Sequence, residues 1–391
     1  MKSLAMFVYI DALDPRLLNR GSMPLMSNLV KTSHYHGGTI ENVLGYSFAI
    51  QSSMFSGKNP DESGYWLPYY YAPNNAPPLL KAMANIGELS SLDRMSRLRF
   101  VLTNSLRRLS GNRVPMTHNI PFSIMDNFSF FPYYYVGELP SFNELSALVY
   151  KKYGVLLTYF GPPKVRHDDL YDTLLARAFQ TDIPQMMFIY EDRLDSVAHS
   201  AGPSSHEYKT VARHIDNKLG QLHRTVAKLV KDPIMIFFSD HSQSDLLGTI
   251  DIVSDLGKVG LRLGKDYICF IDATIFLVWS RSEANKEKIT RFLQATELGA
   301  LIDDRLRKEY HLCFKNEKLY GDIIYVLKPG WTFFPNYFSP FSPMKGLHGY
   351  LPEEKVQKAF VKMDSRITSY PRHVTDLKDT ILKCCELMRQ D

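Results

Sequence analysis

The chain has 391 residues and a formal charge of +5, from 46 Lys and Arg against 41 Asp and Glu. Apolar residues make up 45% and charged residues 22%, the balance of a globular protein long enough to bury its own core. So mild a charge excludes a nucleic-acid binder working by bulk attraction, and equally a disordered polyion.

The apolar run Leu4–Ile10 is short, stops at Asp11 and is followed by no small-residue cleavage pattern, so it reads as a strand and not as an export signal. Further runs of the buried-strand type are Val155–Phe160, Met186–Tyr190, Ile234–Phe238 and Ala273–Trp279. Helical spacing appears between them, over Met23–Val30, Glu207–Leu229, Lys286–Leu298 and Val374–Met388. Strands alternating with helices predict an α/β fold: a three-layer α/β/α sandwich on a mainly parallel central sheet. We expect one domain over residues 1–391, with inserted cap segments at 82–150 and 252–345. No run approaches the roughly 18 apolar residues of a membrane span. The four cysteines, Cys269, Cys313, Cys384 and Cys385, form no CxxC pair and suit a reducing, cytoplasmic compartment.

In an open α/β sheet the ligand lies beyond the carboxyl ends of the strands. Asp11 follows the first predicted strand. Asp195 and His199 follow the third, spaced i and i+4. Asp240 and His241 follow the very apolar fourth, and His348 comes late, in a Gly-flanked stretch. Any one of these alone is more often a turn former, a helix cap or a surface residue. Together they are oxygen and imidazole donors placed after successive strands, the set that zinc or manganese takes. The nucleophile candidate is Ser47, in a polar loop leading into a helix that it is expected to cap. A helix N-terminus suits a phosphoryl oxygen.

This set resembles the type I phosphodiesterase/nucleotide pyrophosphatase family of the alkaline phosphatase superfamily. The resemblance is carried by Asp11, by Ser47 nine residues before Ser56-Gly57-Lys58-Asn59-Pro60, by Asp195-Ser-Val-Ala-His199, by Ser239-Asp240-His241 and by His348-Gly349-Tyr350. It implies two divalent ions, zinc or alternatively manganese. Asp11, Ser47, Asp240 and His241 hold one of them, and Asp195, His199 and His348 the other. It further implies Ser47 as the nucleophile, a covalent seryl intermediate and a small phosphorylated substrate, a nucleotide or nucleotide sugar.

The sequence departs from the family where Ser63-Gly64 replaces His-Gly and Pro68 replaces a phosphate-binding Asn. Lys58, Asn74 or the Ser47 backbone N–H are then the candidates to hold phosphate, and Trp66 the candidate to stack on a base. The stretch 92–113 places Arg94, Arg97, Arg99, Arg107, Arg108 and Arg113 beside Met95, Leu98, Leu102, Leu106 and Leu109. It reads as a solvated cap helix, or as a contact with an anionic substrate tail or a membrane surface. No Cys-x-Pro-x-Arg or Ser-x-Pro-x-Arg motif is present, which sets sulfatases aside. A phosphomonoesterase or phosphomutase of the same superfamily is the alternative, and a non-catalytic metal-binding module the third reading.

Overall fold

The structure is a computed structural model, and it describes residues 4–88, 96–109, 120–132, 135–162, 170–178, 184–339 and 341–389. The chain divides into two compact units. The first takes Met1–Ser63, Tyr134–Asp245 and Pro352–Asp391; the second takes Gly64–Tyr133 and Leu246–Leu351.

The first unit is built on a six-stranded sheet. Its strands are β1 (Ala5–Ile10), β2 (Tyr35–Ile40), β3 (Leu157–Phe160), β4 (Met186–Glu191), β5 (Ile234–Ser239) and β6 (Ala359–Asp364). They lie in the order β2-β6-β5-β1-β4-β3. β1 runs parallel to both β4 and β5, and β3 parallel to β4. β6 is antiparallel to its two neighbours. The central strands are buried on both faces, which explains why they read as continuous apolar runs.

Helices α1 (Pro24–Leu29), α2 (Ser47–Ser56), α3 (Pro140–Tyr153), α4 (Leu170–Ala178), α5 (Arg193–Ala201), α6 (His206–Leu229) and α7 (Leu377–Leu387) cover the sheet. On one face Met6, Val8 and Ile10 of β1 pack against Met26 of α1, Leu194 of α5 and Ile215, Leu219 and Leu222 of α6. On the other face Tyr9, Phe188 and Phe238 pack with Phe55 of α2 and Phe142 of α3, in stacked and edge-on ring contacts. The central sheet is therefore sandwiched between two helical layers, as the sequence pattern predicts.

Helix α2 is buried from Ala49 to Phe55, with no solvated face. A helix buried all round has little freedom to move, so the residue at its start is held rigidly. It ends at Gly57, whose left-handed conformation (φ 69°) closes the last turn.

The second unit holds a four-stranded antiparallel sheet, in the order 267–272, 275–280, 323–327, 299–301, with a helix at Glu283–Ala295. The run expected as one strand at Ala273–Trp279 begins at Ile275 instead. Ala273, at φ 42°, makes the turn out of the preceding strand Tyr267–Asp272. The insertions expected at 82–150 and 252–345 fall differently: the second unit spans 64–133 and 246–351, and α3 belongs to the first. A helix covers Ser96–Leu109 within the basic stretch, and Arg94, Met95 and Arg113 lie outside the described residues. No helix among the described residues is long and apolar enough to cross a membrane.

Candidate active site

The parallel register brings three strand ends together. Ile10 pairs with Glu191, and Asp11 continues the ladder by donating its N–H to the Glu191 carbonyl at 2.8 Å. Asp240 and His241 follow directly on β5, beside β1. Ala12 then turns sharply, at φ 57°, a conformation that costs a non-glycine residue and recurs at functional sites. The turn is held at both ends: Ala12 N–H donates to Asp240 Oδ1 at 3.3 Å, and the Tyr208 hydroxyl donates to its carbonyl at 2.9 Å.

Three oxygens converge on one ring nitrogen. His241 Nε2 lies 3.0 Å from Ser47 Oγ, 3.1 Å from Asp240 Oδ2 and 3.6 Å from Asp11 Oδ1. His241 Nδ1 sits 3.1 Å from the Ser242 carbonyl, which can only accept, so Nδ1 carries the proton and Nε2 faces the oxygens. All four residues belong to the first unit.

The electrostatics are unfavourable without a cation. Burial raises the Asp11 carboxyl well above its usual range, and Asp240 and Asp195 raise it further. Burial lowers the affinity of His241 for a proton, but Asp240 outweighs it and the net shift is upward. The Tyr190 hydroxyl donates to Asp11 Oδ2 at 2.6 Å, while Asp11 Oδ1 has no hydrogen-bond partner. Burial and the nearby Asp11 keep Tyr9 and Tyr190 protonated, so both remain donors. Two buried carboxylates, an imidazole lone pair and a hydroxyl in one cluster are a donor set that fits a divalent cation.

Asp195 and His199 lie one turn apart on α5, with Asp195 Oδ1 3.4 Å from His199 Nε2. The Glu191–Arg193 ion pair, at 2.6 Å, fastens the start of this helix to the end of β4. His348 belongs to the second unit, where it is 4% exposed. Thr274 Oγ1 pins that loop by donating to the carbonyls of His348 and Gly349, at 3.3 and 2.7 Å.

Three expectations need correction. Ser47 does not cap α2: Tyr46 is the N-cap and Ser47 the first helical residue, so its hydroxyl points to His241 and not to the helix backbone. Lys58 lies beyond the C-terminal end of α2, and ten residues at 1.5 Å each separate it from Ser47 by about 15 Å, so it does not hold phosphate there. Trp66 is fully buried against Tyr320 and Phe314 in the second unit and offers no face to a base. Asn74 sits in an exposed turn of that unit. Nearby in that unit Tyr69 stacks on Phe270 and Tyr71 on Trp279.

Sequence reasoning missed the residues that hold the loop before Ser47. Buried Asn42 donates to the Asp240 and Gln357 carbonyls, both at 2.6 Å, and buried Gln357 donates to the Gly45 carbonyl at 2.8 Å. Neither residue carries a periodic or motif signal. Their role follows only from contacts between segments about 200 and 300 residues apart.

The type I phosphodiesterase / nucleotide pyrophosphatase family model matches residues 5–351. The chain belongs to this family. It is an enzyme of the phosphodiesterase/nucleotide pyrophosphatase type in the alkaline phosphatase superfamily. Among solved structures, murine ectonucleotide pyrophosphatase/phosphodiesterase 5, an inactive threonine-to-alanine variant in complex with AMP, is similar at 14% identity and a TM-score of 0.65. That comparison covers 99% of this chain and 95% of the other. The human counterpart is similar at 15% identity and 0.62, with the same coverage. At such identity the likeness concerns the fold. A search of curated protein sequences gave no significant match.

Proposed function

We propose that this family member is a two-metal hydrolase that cleaves the phosphodiester or pyrophosphate bond of a small nucleotide-like substrate through a covalent intermediate on Ser47. The observation that carries the reading is the convergence of Ser47 Oγ, Asp240 and Asp11 on His241 Nε2 at the start of a buried helix. Asp11, Ser47, Asp240 and His241 are the residues for one ion. Asp195 and His199 are those for the other. When bound, such ions lower the proton affinity of the attacking hydroxyl and neutralise charge on the transferred group, which zinc or manganese can both supply. AMP in the murine relative supports a nucleotide substrate.

The residues of the chain do the rest. Buried α2 fixes Ser47 and presents the positive end of its dipole to the phosphoryl oxygens. Ser47 Oγ forms the new P–O bond and keeps the phosphoryl or nucleotidyl group, while the bond to the leaving oxygen breaks and the Ser47 proton departs with that oxygen. Water then attacks phosphorus and releases Ser47 Oγ, which regains its proton. The Nδ1–H bond from His241 to Ser242 and the Tyr190 bond to Asp11 hold both ligand side chains in orientation throughout. The free thiols of Cys269, Cys313, Cys384 and Cys385 support a reducing, cytoplasmic setting.

Turnover of a nitrophenyl nucleotide diester beside nitrophenyl phosphate, in chelator and after zinc or manganese is restored, tests this reading. Metal-dependent diester hydrolysis that exceeds monoester hydrolysis is expected. Faster monoester hydrolysis would assign the site to a phosphatase or mutase instead.

A further inference from the structure

We propose that Gln243 is the positioning residue for Asp195, and that it ties the Asp195–His199 pair to the Asp240–His241 loop. The inference rests on the metal reading of these two groups. Gln243 lies two residues beyond His241 and is fully buried. Its Nε2 donates to Asp195 Oδ1 at 2.7 Å and reaches the Asp195 backbone carbonyl at 3.3 Å. Both partners are oxygens that only accept, so the orientation of the amide is fixed by chemistry.

That orientation leaves Gln243 Oε1 buried without a hydrogen-bond partner. A methionine of equal length would avoid the buried acceptor, so the position uses the amide for its donor. Asp195 is the residue that needs holding. It stands in the first turn of a nine-residue helix, its side chain is 22% exposed, and its Oδ1 lies only 3.4 Å from His199. Gln243 holds that same Oδ1 by a 2.7 Å hydrogen bond. Because Gln243 belongs to the segment that carries Asp240 and His241, one short loop sets the spacing of both groups. Donors that hold a ligating carboxylate typically change metal affinity about 10–100-fold.

Gln243→Met keeps the length and removes the donor. Zinc titration against a chromophoric chelator, on the full chain, measures each site's affinity. Thermal unfolding in excess chelator reports the fold without metal. The expected result is that one of two sites weakens about 10–100-fold, the other is unchanged, and the chelated protein melts no lower. Gln243→Asn, one methylene too short to reach, weakens the same site. Two unchanged sites in Gln243→Met would overturn the proposal. So would loss of both sites with a lower melting temperature in chelator, which marks a structural role. Wild-type protein that binds fewer than two ions would overturn the metal reading itself, and this inference with it.

Discussion

Replacing Asp11 by Asn isolates the electrostatics of the buried cluster. Asp11 is 3% exposed and Asp240 fully buried, and their ligand atoms lie with that of His241 within 4.8 Å of one another. His241 neutralises at most one of the two carboxylates. Two unit charges at such a separation repel by about 3 kcal/mol at an effective dielectric of 20. Asn keeps the shape and still accepts from the Tyr190 hydroxyl. It also places an N–H donor where Asp11 Oδ1 has no hydrogen-bond partner. Partial protonation already relieves some of the repulsion in wild type, so the metal-free variant should gain about 1–3 kcal/mol. That corresponds to a melting temperature about 2–6 °C higher in chelator. Zinc should reverse the sign. The neutral amide is a poor ligand, and only wild type gains the stability of a tightly bound ion. Thermal unfolding of both proteins in chelator and in excess zinc measures the crossover. A variant less stable than wild type in both conditions would refute the reasoning, because Asp11 would then be a structural carboxylate.

Other predictions concern the frame around the site. Asp216 of α6 accepts the N–H groups of Leu25 and Met26, at 2.9 and 2.7 Å, and so caps α1, whose own N-cap Met23 offers no side-chain bond. Asp216→Ala should cost about 2–4 kcal/mol in denaturant unfolding, more than Asp216→Asn, which keeps one acceptor. A Cβ at Gly37, which has φ 121°, would meet the Val361 carbonyl oxygen at 2.4 Å, so Gly37→Ala should destabilise the β2–β6 pair by about 2 kcal/mol or more in the same assay. The Tyr153 hydroxyl and Lys152 hold the Glu386 carboxyl below its usual range. The small stability it contributes is present above the ordinary glutamate pKa and lost as pH falls through the lowered one. Glu386→Gln should therefore lower the melting temperature slightly at pH 7 and not at pH 3.

The strands β1, β4 and β5 were legible because burial on both faces makes them continuous apolar runs, and the donors after them were legible because ligands gather at strand ends. β2, with the sequence Tyr-His-Gly-Gly-Thr-Ile, was not legible: it is an edge strand of half-exposed residues without an apolar run. The positions of Lys58 and Trp66 could not be read from their distance along the chain to Ser47. A rigid helix carries Lys58 away from Ser47, and Trp66 packs into a separate core. The residues that orient the site, Asn42, Gln243 and Gln357, depend on contacts at long sequence separation that leave no local trace.

The central claim is the covalent role of Ser47, and trapping tests it most directly. Zinc-loaded protein is mixed with a nucleotide diester, quenched in acid within the first turnover and digested, and the Ser47 peptide is weighed by mass spectrometry. The account predicts a phosphoryl or nucleotidyl adduct on Ser47, absent in Ser47→Ala, which also loses turnover. Turnover that persists in Ser47→Ala, with no adduct on the wild-type peptide, would contradict it.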